Sequence, residues 1–281
     1  MIAVTGATGT VGGLVARLLA GTHPLRLLVR RPQRAGELGL PGEAVAADFD
    51  DPASLTGALT GVHALFMVTA NPLQPAHDPN LLSAARRSGV GHIVKLSALA
   101  VADEQADDLI TRWQRHNEAL LRASGVPWTI LRPRSFMSNS LAWAPSIRTR
   151  GVVQAPVGTS RNACIAPQDI AEVAVRALTG AAGEGMTYPL TGPQALSAAE
   201  QSAVLAEVLD RPVRFVDMTL DQAYQAWSAR YPEPIAQALL HSARRQQEGA
   251  KQLTDPTLEK LLDRPALTYR DWARRHRHHF T

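Results

Sequence analysis

The chain has 281 residues, of which 45% are hydrophobic and 19% are charged, with a formal net charge of +4 and one cysteine. This composition excludes a disordered chain, and no apolar run approaches the roughly 20 residues that a membrane-spanning helix needs. A single cysteine permits neither an intrachain disulfide nor a four-cysteine zinc site, so we predict no metal and a cytoplasmic protein.

The first half of the chain alternates short apolar runs with longer amphipathic segments, which is typical of a parallel sheet covered by helices. Helices are predicted over residues 11–19, from Pro52 onward, and over 81–87 and 107–123. Strands are predicted over residues 2–4, 25–29, 44–47, 64–68, 93–96 and 128–131.

The pattern changes after about residue 135. Loops are predicted over residues 138–167 apart from a helix near Ser140, and the remainder is mostly helical with short strands at 187–190 and 213–216. We therefore predict an α/β fold: a Rossmann-type doubly wound parallel sheet in residues 1–135, followed by a smaller C-terminal α/β cap. This cap, residues 136–281, is expected to bind substrate and to share helices and a strand with the sheet.

Three glycines between the first strand and the first helix form a G-x-x-G-x-x-G pattern. Gly6 permits a tight turn, Gly9 lets the backbone approach a pyrophosphate, and Gly12 lets helix and strand touch. The helix N-terminus adds free N–H groups and a partial positive charge. The pattern predicts a dinucleotide-binding loop.

Two arginines stand where NAD-binding proteins usually carry an acidic residue, at the end of the second strand. Arg30 and Arg31 would bind a 2′-phosphate through paired N–H donors, so NADP(H) is predicted over NAD(H); the alternative is two solvated arginines. After the third strand, Asp48 and Phe49 are placed to touch the adenine, although Asp48 could equally cap the following turn.

Several segments resemble the NmrA-like atypical short-chain dehydrogenase/reductases. They lie at residues 5–12 (TGATGTVG), 47–55 (ADFDDPASL), 93–98 (IVKLSA), 125–139 (GVPWTILRPRSFMSN), 168–174 (QDIAEVA) and 188–193 (YPLTGP). The resemblance implies a doubly wound sheet, an NADP(H) site and a small cap that forms the substrate pocket. Members of this family include quinone reductases, isoflavone-reductase-like enzymes and redox-sensing regulators.

The resemblance also implies roles for individual residues. It places Thr8, Thr10 and Val11 in the pyrophosphate loop, and Val68, Thr69 and Ala70 near the cofactor ribose. It places Ser97, Arg132 and Pro133 beside the nicotinamide, and Phe136 and Met137 in the substrate pocket.

The Tyr-x-x-x-Lys pair of ordinary short-chain dehydrogenases is missing. By alignment its positions hold Ile110 and Gln114, and no tyrosine lies between residues 1 and 187. Protonation of a carbonyl oxygen by a tyrosine phenol is therefore disfavoured. His116 could donate a proton or be a surface residue, and Ser97 could hold a substrate oxygen or bond to the backbone.

These observations favour an NADPH-dependent oxidoreductase that transfers hydride to a small, planar or aromatic acceptor such as a quinone or enone. The alternative is a non-catalytic NADP(H)-sensing regulatory protein that acts through protein contacts. The expected partner is a small-molecule substrate, with neither nucleic acid nor membrane, and a homodimer is left open.

Overall fold

The computed structural model describes Met1–Thr281 and contains nine strands and twelve α-helices. The strands are β1 (Ile2–Thr5), β2 (Leu25–Val29), β3 (Glu43–Ala46), β4 (Ala64–Met67), β5 (His92–Leu96), β6 (Trp128–Pro133), β7 (Val152–Pro156), β8 (Met186–Leu190) and β9 (Arg214–Met218). The helices are α1 (Thr10–Leu19), α2 (Pro32–Glu37), α3 (Pro52–Ala58), α4 (His77–Arg87), α5 (Leu109–Ala123), α6 (Ala144–Arg150), α7 (Pro167–Leu178), α8 (Ala198–Leu209), α9 (Leu220–Ser228), α10 (Glu233–Gln247), α11 (Thr257–Leu262) and α12 (Tyr269–Arg275). None of them has the length and apolarity required to cross a lipid bilayer.

The chain forms two compact units that interleave in sequence. Unit 1 comprises Met1–Val101, Trp113–Arg132 and Pro167–Pro189, and unit 2 comprises Ala102–Arg112, Pro133–Ala166 and Leu190–Thr281. That residues 1–135 bind the cofactor and residues 136–281 bind the substrate stays a prediction.

Unit 1 is built on a seven-stranded sheet with the order β3-β2-β1-β4-β5-β6-β8. Strands β1 to β6 pair in parallel, with Val4 opposite Leu27 on one side and Phe66 on the other. The strand order reverses between β1 and β4, which is the switch point where doubly wound sheets bind ligands at their carboxyl ends. The predicted α/β Rossmann-type fold is confirmed.

The core of unit 1 consists of aliphatic side chains from both the sheet and the helices. Leu65 and Ile93 of the sheet pack with Leu55, Leu81 and Leu121 of three helices, and all five are fully buried. The apolar faces of these helices therefore pack on the sheet and hold the strands in position.

Unit 2 contains a second, smaller sheet in which β7 pairs in parallel with β9. Its core gathers Met137, Ile147 and Val153 around the buried rings of Trp272 and Phe280. Near Ser140 the chain forms a 3-10 helix, Met137–Trp143, followed by α6.

Three sequence expectations were wrong in detail. Residues 152–156 form β7 where only loops were expected, since Val152 and Val153 bury against unit 2. Helix α4 begins at His77, with Pro79 inside its first turn, where proline costs no hydrogen bond. Helix α2 was not predicted, because only one of its residues, Ala35, is buried and its sequence therefore carries no apolar periodicity.

Candidate functional site

The glycine loop lies at the switch point between β1 and β4, and its geometry explains each glycine. Gly6 has φ +62°, and a Cβ there would lie 3.1 Å from the Cβ of Val68. The Gly9 N–H donates to the Gly6 carbonyl at 2.9 Å. A Cβ at Gly12 would overlap the backbone of Gly6. The loop therefore closes tightly on the start of α1.

The N-terminus of α1 faces outward without a side-chain cap. Gly9 is the N-cap in extended backbone conformation, Thr8 and Thr10 are exposed, and Val11 is buried. The N–H groups of this first turn and the positive end of the helix dipole form a site for an anion such as a pyrophosphate.

The end of β4 is held against the loop by a buried threonine. The Val68 N–H donates to the Thr5 hydroxyl at 2.7 Å. The next residue, Thr69, donates its hydroxyl to the fully buried Asp78 at 2.5 Å, and Lys95 donates to the same carboxylate at 2.6 Å. The side chain of Thr69 is therefore bound internally, while Ala70 is exposed.

Arg30 and Arg31 follow β2 at the same edge of the sheet. Both are exposed, and neither makes an ion pair or hydrogen bond, whereas Arg26 on the same strand binds Glu43 at 2.8 Å. Two free guanidinium groups beside the glycine loop suit a 2′-phosphate.

Asp48 and Phe49 follow β3. The Asp48 carboxylate accepts the Asp50 N–H at 3.0 Å, so it caps the local turn. The Phe49 carbonyl accepts a hydrogen bond from Asn80, and the Phe49 ring is partly buried, with its centroid 5.3 Å from that of His77.

Ser97 belongs to a buried ionic network at the carboxyl ends of β5 and β6. Its hydroxyl donates to Glu118 at 2.6 Å, and Arg132 binds both carboxylate oxygens of Glu118, at 2.9 and 2.6 Å. Arg122 adds a bond at 2.9 Å. Burial alone would raise the pKa of Glu118, but the hydrogen bonds from Arg132 and Ser97 and the charge of Arg132 lower it. Glu118 is therefore ionised, and the proton of the Ser97 hydroxyl is committed to it.

His116 is exposed on α5 and lies two residues from Glu118, a spacing that places side chains on different faces of a helix. The structure thus does not bring His116 together with Ser97. The role of His116 as proton donor stays a prediction.

Two amide side chains that sequence inspection did not select share the buried face of α5 with Glu118. Both amide atoms of the fully buried Asn117 and the Oε1 of Gln114 have no hydrogen-bond partner. Gln114 precedes Glu118 by about one helical turn, a rise of about 6 Å along α5. The alignment that put Gln114 at the missing lysine was the signal that could have identified it.

Pro133, Phe136 and Met137 begin unit 2. Pro133 is buried, Phe136 is partly buried and forms a β-bridge with Ile165, and the Met137 N–H donates to the Ile165 carbonyl at 2.9 Å. The side chain of Met137 packs in the core of unit 2.

No three His, Cys, Asp or Glu side chains lie close enough together to hold a metal ion. Burial raises the pKa of the Cys164 thiol to about 11, so the one cysteine is neutral near pH 7. Its burial and its protonation give it no nucleophilic character.

A parallel sheet of this order, with a glycine loop and an uncapped helix N-terminus at its switch point, defines a Rossmann-type dinucleotide-binding protein. The chain belongs to the NAD(P)H-binding family, whose model matches residues 6–181. It combines that fold with the NmrA-like features of its sequence.

Three known proteins resemble it over nearly their whole length. A (4-alkanoyl-5-oxo-2,5-dihydrofuran-3-yl)methyl phosphate reductase from Streptomyces griseus is 50% identical over 276 residues, which cover 98% of each chain. An NAD(P)H azoreductase from Xenophilus azovorans is 39% identical over 98% of each chain. An NADPH-dependent quinone oxidoreductase from Escherichia coli, solved with NADPH, is 29% identical with a TM-score of 0.86, covering 98% of this chain and 99% of that one. The chain is therefore an NAD(P)H-dependent oxidoreductase.

Proposed function

We propose that the protein uses NADPH to reduce a small, planar, conjugated acceptor, with an enone as the first candidate and a quinone as the second. When bound, NADPH supplies a hydride. Reduction of an enone adds this hydride to the β-carbon and a proton to the resulting enolate, so that the C=C bond becomes a single bond.

Cofactor binding is assigned to unit 1. The N–H groups at Thr8, Thr10 and Val11 would hold the pyrophosphate, and Arg30 and Arg31 would hold the 2′-phosphate. Phe49 and Asp48 would border the adenine, and Val68 and Ala70 the ribose. The close packing at Gly6 and Gly12 supports this assignment, because a Cβ at Gly6 would press against Val68 and one at Gly12 would overlap the Gly6 backbone, so the tight turn requires glycine at both positions.

The observation that carries the proposal is the pair of unpartnered amides on α5. A buried amide atom without a partner costs about 1–3 kcal/mol. The unpartnered Nδ2 of Asn117 can donate to a ligand oxygen, whereas the unpartnered Oε1 of Gln114 can only accept from a ligand donor. An amide N–H can donate a hydrogen bond to a carbonyl and orient it, but it cannot transfer a proton at neutral pH.

This arrangement favours a conjugated acceptor over a saturated carbonyl. Hydride addition to a saturated ketone leaves a strongly basic alkoxide, which requires an acid in the site. Addition to an enone or quinone leaves a delocalised anion that water can protonate. Glu118 is ionised and bound by two arginines, so it cannot be that acid.

The activities for which the relatives are named agree with this choice. The Streptomyces griseus enzyme is named for a furanone whose ring double bond is conjugated to carbonyl groups, and whose side chain carries a phosphate. The azoreductase and the quinone oxidoreductase are also named for conjugated acceptors. By the family resemblance, Phe136 and Met137 are assigned to the acceptor pocket, and Ser97, Arg132 and Pro133 to the surroundings of the nicotinamide.

The test is NADPH oxidation with matched acceptors: an α,β-unsaturated ketone, the saturated ketone of the same size, and a quinone. We expect turnover with the conjugated compounds and none with the saturated ketone. Turnover of the saturated ketone at a comparable rate would contradict the proposal. NADPH binding without oxidation by any acceptor would instead support the regulatory alternative.

A further inference from the structure

Unit 2 contains an arginine that nothing in the chain neutralises by direct contact. Arg134, which follows β6, is partly buried, its Nε is buried without a partner, and its guanidinium makes no hydrogen bond or ion pair. Lys95 and Arg132, in contrast, are paired, Lys95 with Asp78 at 2.6 Å and Arg132 with Glu118 at 2.6 Å. A buried charge without a partner is costly, so an anion from outside the chain would stabilise Arg134.

A second cation, Lys251, belongs to the same part of unit 2. Its ammonium group donates to the Ser242 hydroxyl at 2.7 Å and to no carboxylate. The Asn162 amide bonds to Ser135, the neighbour of Arg134, at 3.1 Å, and the Ala163 N–H bonds to the Lys251 carbonyl at 2.9 Å. These bonds tie the segments of Arg134 and Lys251 together.

Electrostatics agree with this proximity. Burial and the positive charge of Arg134 lower the pKa of Lys251 to about 8, and burial also lowers the pKa of Arg134. Both groups are therefore poorly solvated, and their positive charges repel each other.

The acidic groups nearby are already engaged. Asp103 binds Arg245 at 2.7 Å. Asp108 accepts the N–H groups of Ile110 and Thr111 at the start of α5, each at 3.0 Å. The Cys164 thiol is neutral because burial raises its pKa to about 11. Neither Arg134 nor Lys251 therefore has a carboxylate as a direct partner.

We propose that Arg134 and Lys251 form an anion-binding site for a phosphate ester on the acceptor. Two cations match the charge of a phosphate dianion, and the guanidinium fork can bind two of its oxygens. This inference rests on the proposed function in one respect, since it makes the phosphate part of the reducible substrate. It adds a recognition element in unit 2 to the cofactor site of unit 1.

The test compares an enone that carries a hydroxymethyl phosphate ester with the same enone carrying the free alcohol. We expect kcat/KM to be at least about tenfold higher for the ester. Arg134→Gln and Lys251→Gln should each remove most of this preference and leave kcat/KM for the alcohol within about twofold. The control Arg161→Gln removes an exposed arginine of unit 2 that binds Glu200, and it should leave the preference intact.

Calorimetric titration with inorganic phosphate tests the site without turnover. Phosphate should bind the wild type and the Arg161→Gln variant, bind at least about tenfold more weakly to Arg134→Gln, and compete with the ester but not with the alcohol. Arg134→Lys, which keeps the charge, should restore part of the binding and so exclude misfolding as the cause.

The outcomes separate the two proposals. Turnover of both enones with equal kcat/KM would overturn the phosphate-ester site and leave the reductase intact. Phosphate binding that depends on Arg134, without turnover of any acceptor, would overturn the reductase, and with it the assignment of that phosphate to a substrate.

Discussion

The two units hold their charged groups in opposite ways. In unit 1, the buried charges are matched by partners in the chain: Glu118 by Arg132 and Arg122, and Asp78 by Lys95. In unit 2, Arg134 has no partner and Lys251 has only a hydroxyl. Charges that are paired within the chain need no ligand to neutralise them, whereas an unpaired cation can be neutralised by a bound anion.

Ligand recognition differs in the same way. Unit 1 presents backbone N–H groups at the start of α1 in a turn that only glycine permits. Unit 2 presents side chains from segments more than one hundred residues apart in sequence, Arg134 and Lys251. The first arrangement suits a cofactor that is the same for every member of a family, and the second suits an acceptor that varies. The following substitutions test this contrast.

The largest effect is expected for Gly12→Val. Its side chain would overlap the Gly6 backbone, so the loop must open, and NADPH affinity should fall at least about 100-fold because the pyrophosphate contacts are lost. Fluorescence titration with NADPH measures this. The control is Gly57→Ala in α3, where a Cβ meets nothing within 4 Å; it should keep NADPH affinity and gain about 0.5–1 kcal/mol of stability. Unchanged NADPH binding by Gly12→Val would contradict the loop geometry.

Glu118→Gln should strongly destabilise the protein. It leaves Arg132 partly buried without its anion, at an expected cost of about 3–5 kcal/mol in the free energy of unfolding. Urea denaturation measures this cost. Glu37→Gln, which breaks the exposed pair with Arg34, should cost less than about 1 kcal/mol. Equal costs would show that the buried network does not stabilise the fold.

The same carboxylate predicts a pH dependence of stability. The folded pKa of Glu118 is lowered, so its contribution is fully present above the ordinary glutamate pKa and is lost as pH falls below that value toward the folded pKa. The free energy of unfolding of the wild type should therefore fall more steeply in this acidic range than that of Glu118→Gln. Parallel slopes from urea denaturation at several pH values would exclude Glu118 as the source.

The double substitution Arg30→Glu with Arg31→Ala should reverse or abolish the preference for NADPH over NADH. Loss of the charge-assisted bonds to the 2′-phosphate predicts a change of about 10- to 100-fold in the ratio of the two kcat/KM values. Arg34→Ala, which removes an arginine already paired with Glu37, is the control. A ratio that the double substitution leaves unchanged would mean that these arginines do not bind the 2′-phosphate.

The smallest effects are expected on α5. Asn117→Ala should lower kcat/KM for an enone about tenfold without changing NADPH affinity, because it would remove a hydrogen bond donated to the acceptor oxygen. His116→Ala tests the competing proton donor: if the imidazole supplies the proton, kcat falls. If the proton comes from water, kcat stays as in the wild type.

The sheet of unit 1 was predictable because its strands are short apolar runs, several of which end beside a glycine or a charged residue, as β1 does at Gly6 and β2 at Arg30. Gly6, Gly9 and Gly12 could be assigned since their spacing follows from backbone geometry. Strand β7 was not predictable: its two valines lie between Gly151 and Pro156 and read as loop, and only the pairing with β9 makes them a strand.

The polar residues of the two candidate sites could not be found in the same way. Gln114 and Asn117 read as the polar side of an amphipathic helix, yet tertiary packing buries them. Arg134 and Lys251 are two of 29 basic residues, and only the folded chain shows which of them lack an acidic partner. A sequence pattern predicts local backbone geometry, whereas charge pairing between side chains of distant segments depends on the fold.

Conjugate hydride addition is tested most directly by tracing the hydrogen atoms. The enone is reduced with NADPH that carries deuterium at the transferring position, and the product is analysed by NMR. The account predicts deuterium on the former β-carbon, an intact carbonyl group, and a hydrogen from solvent on the α-carbon. Deuterium on a carbinol carbon, with the C=C bond retained, would contradict it.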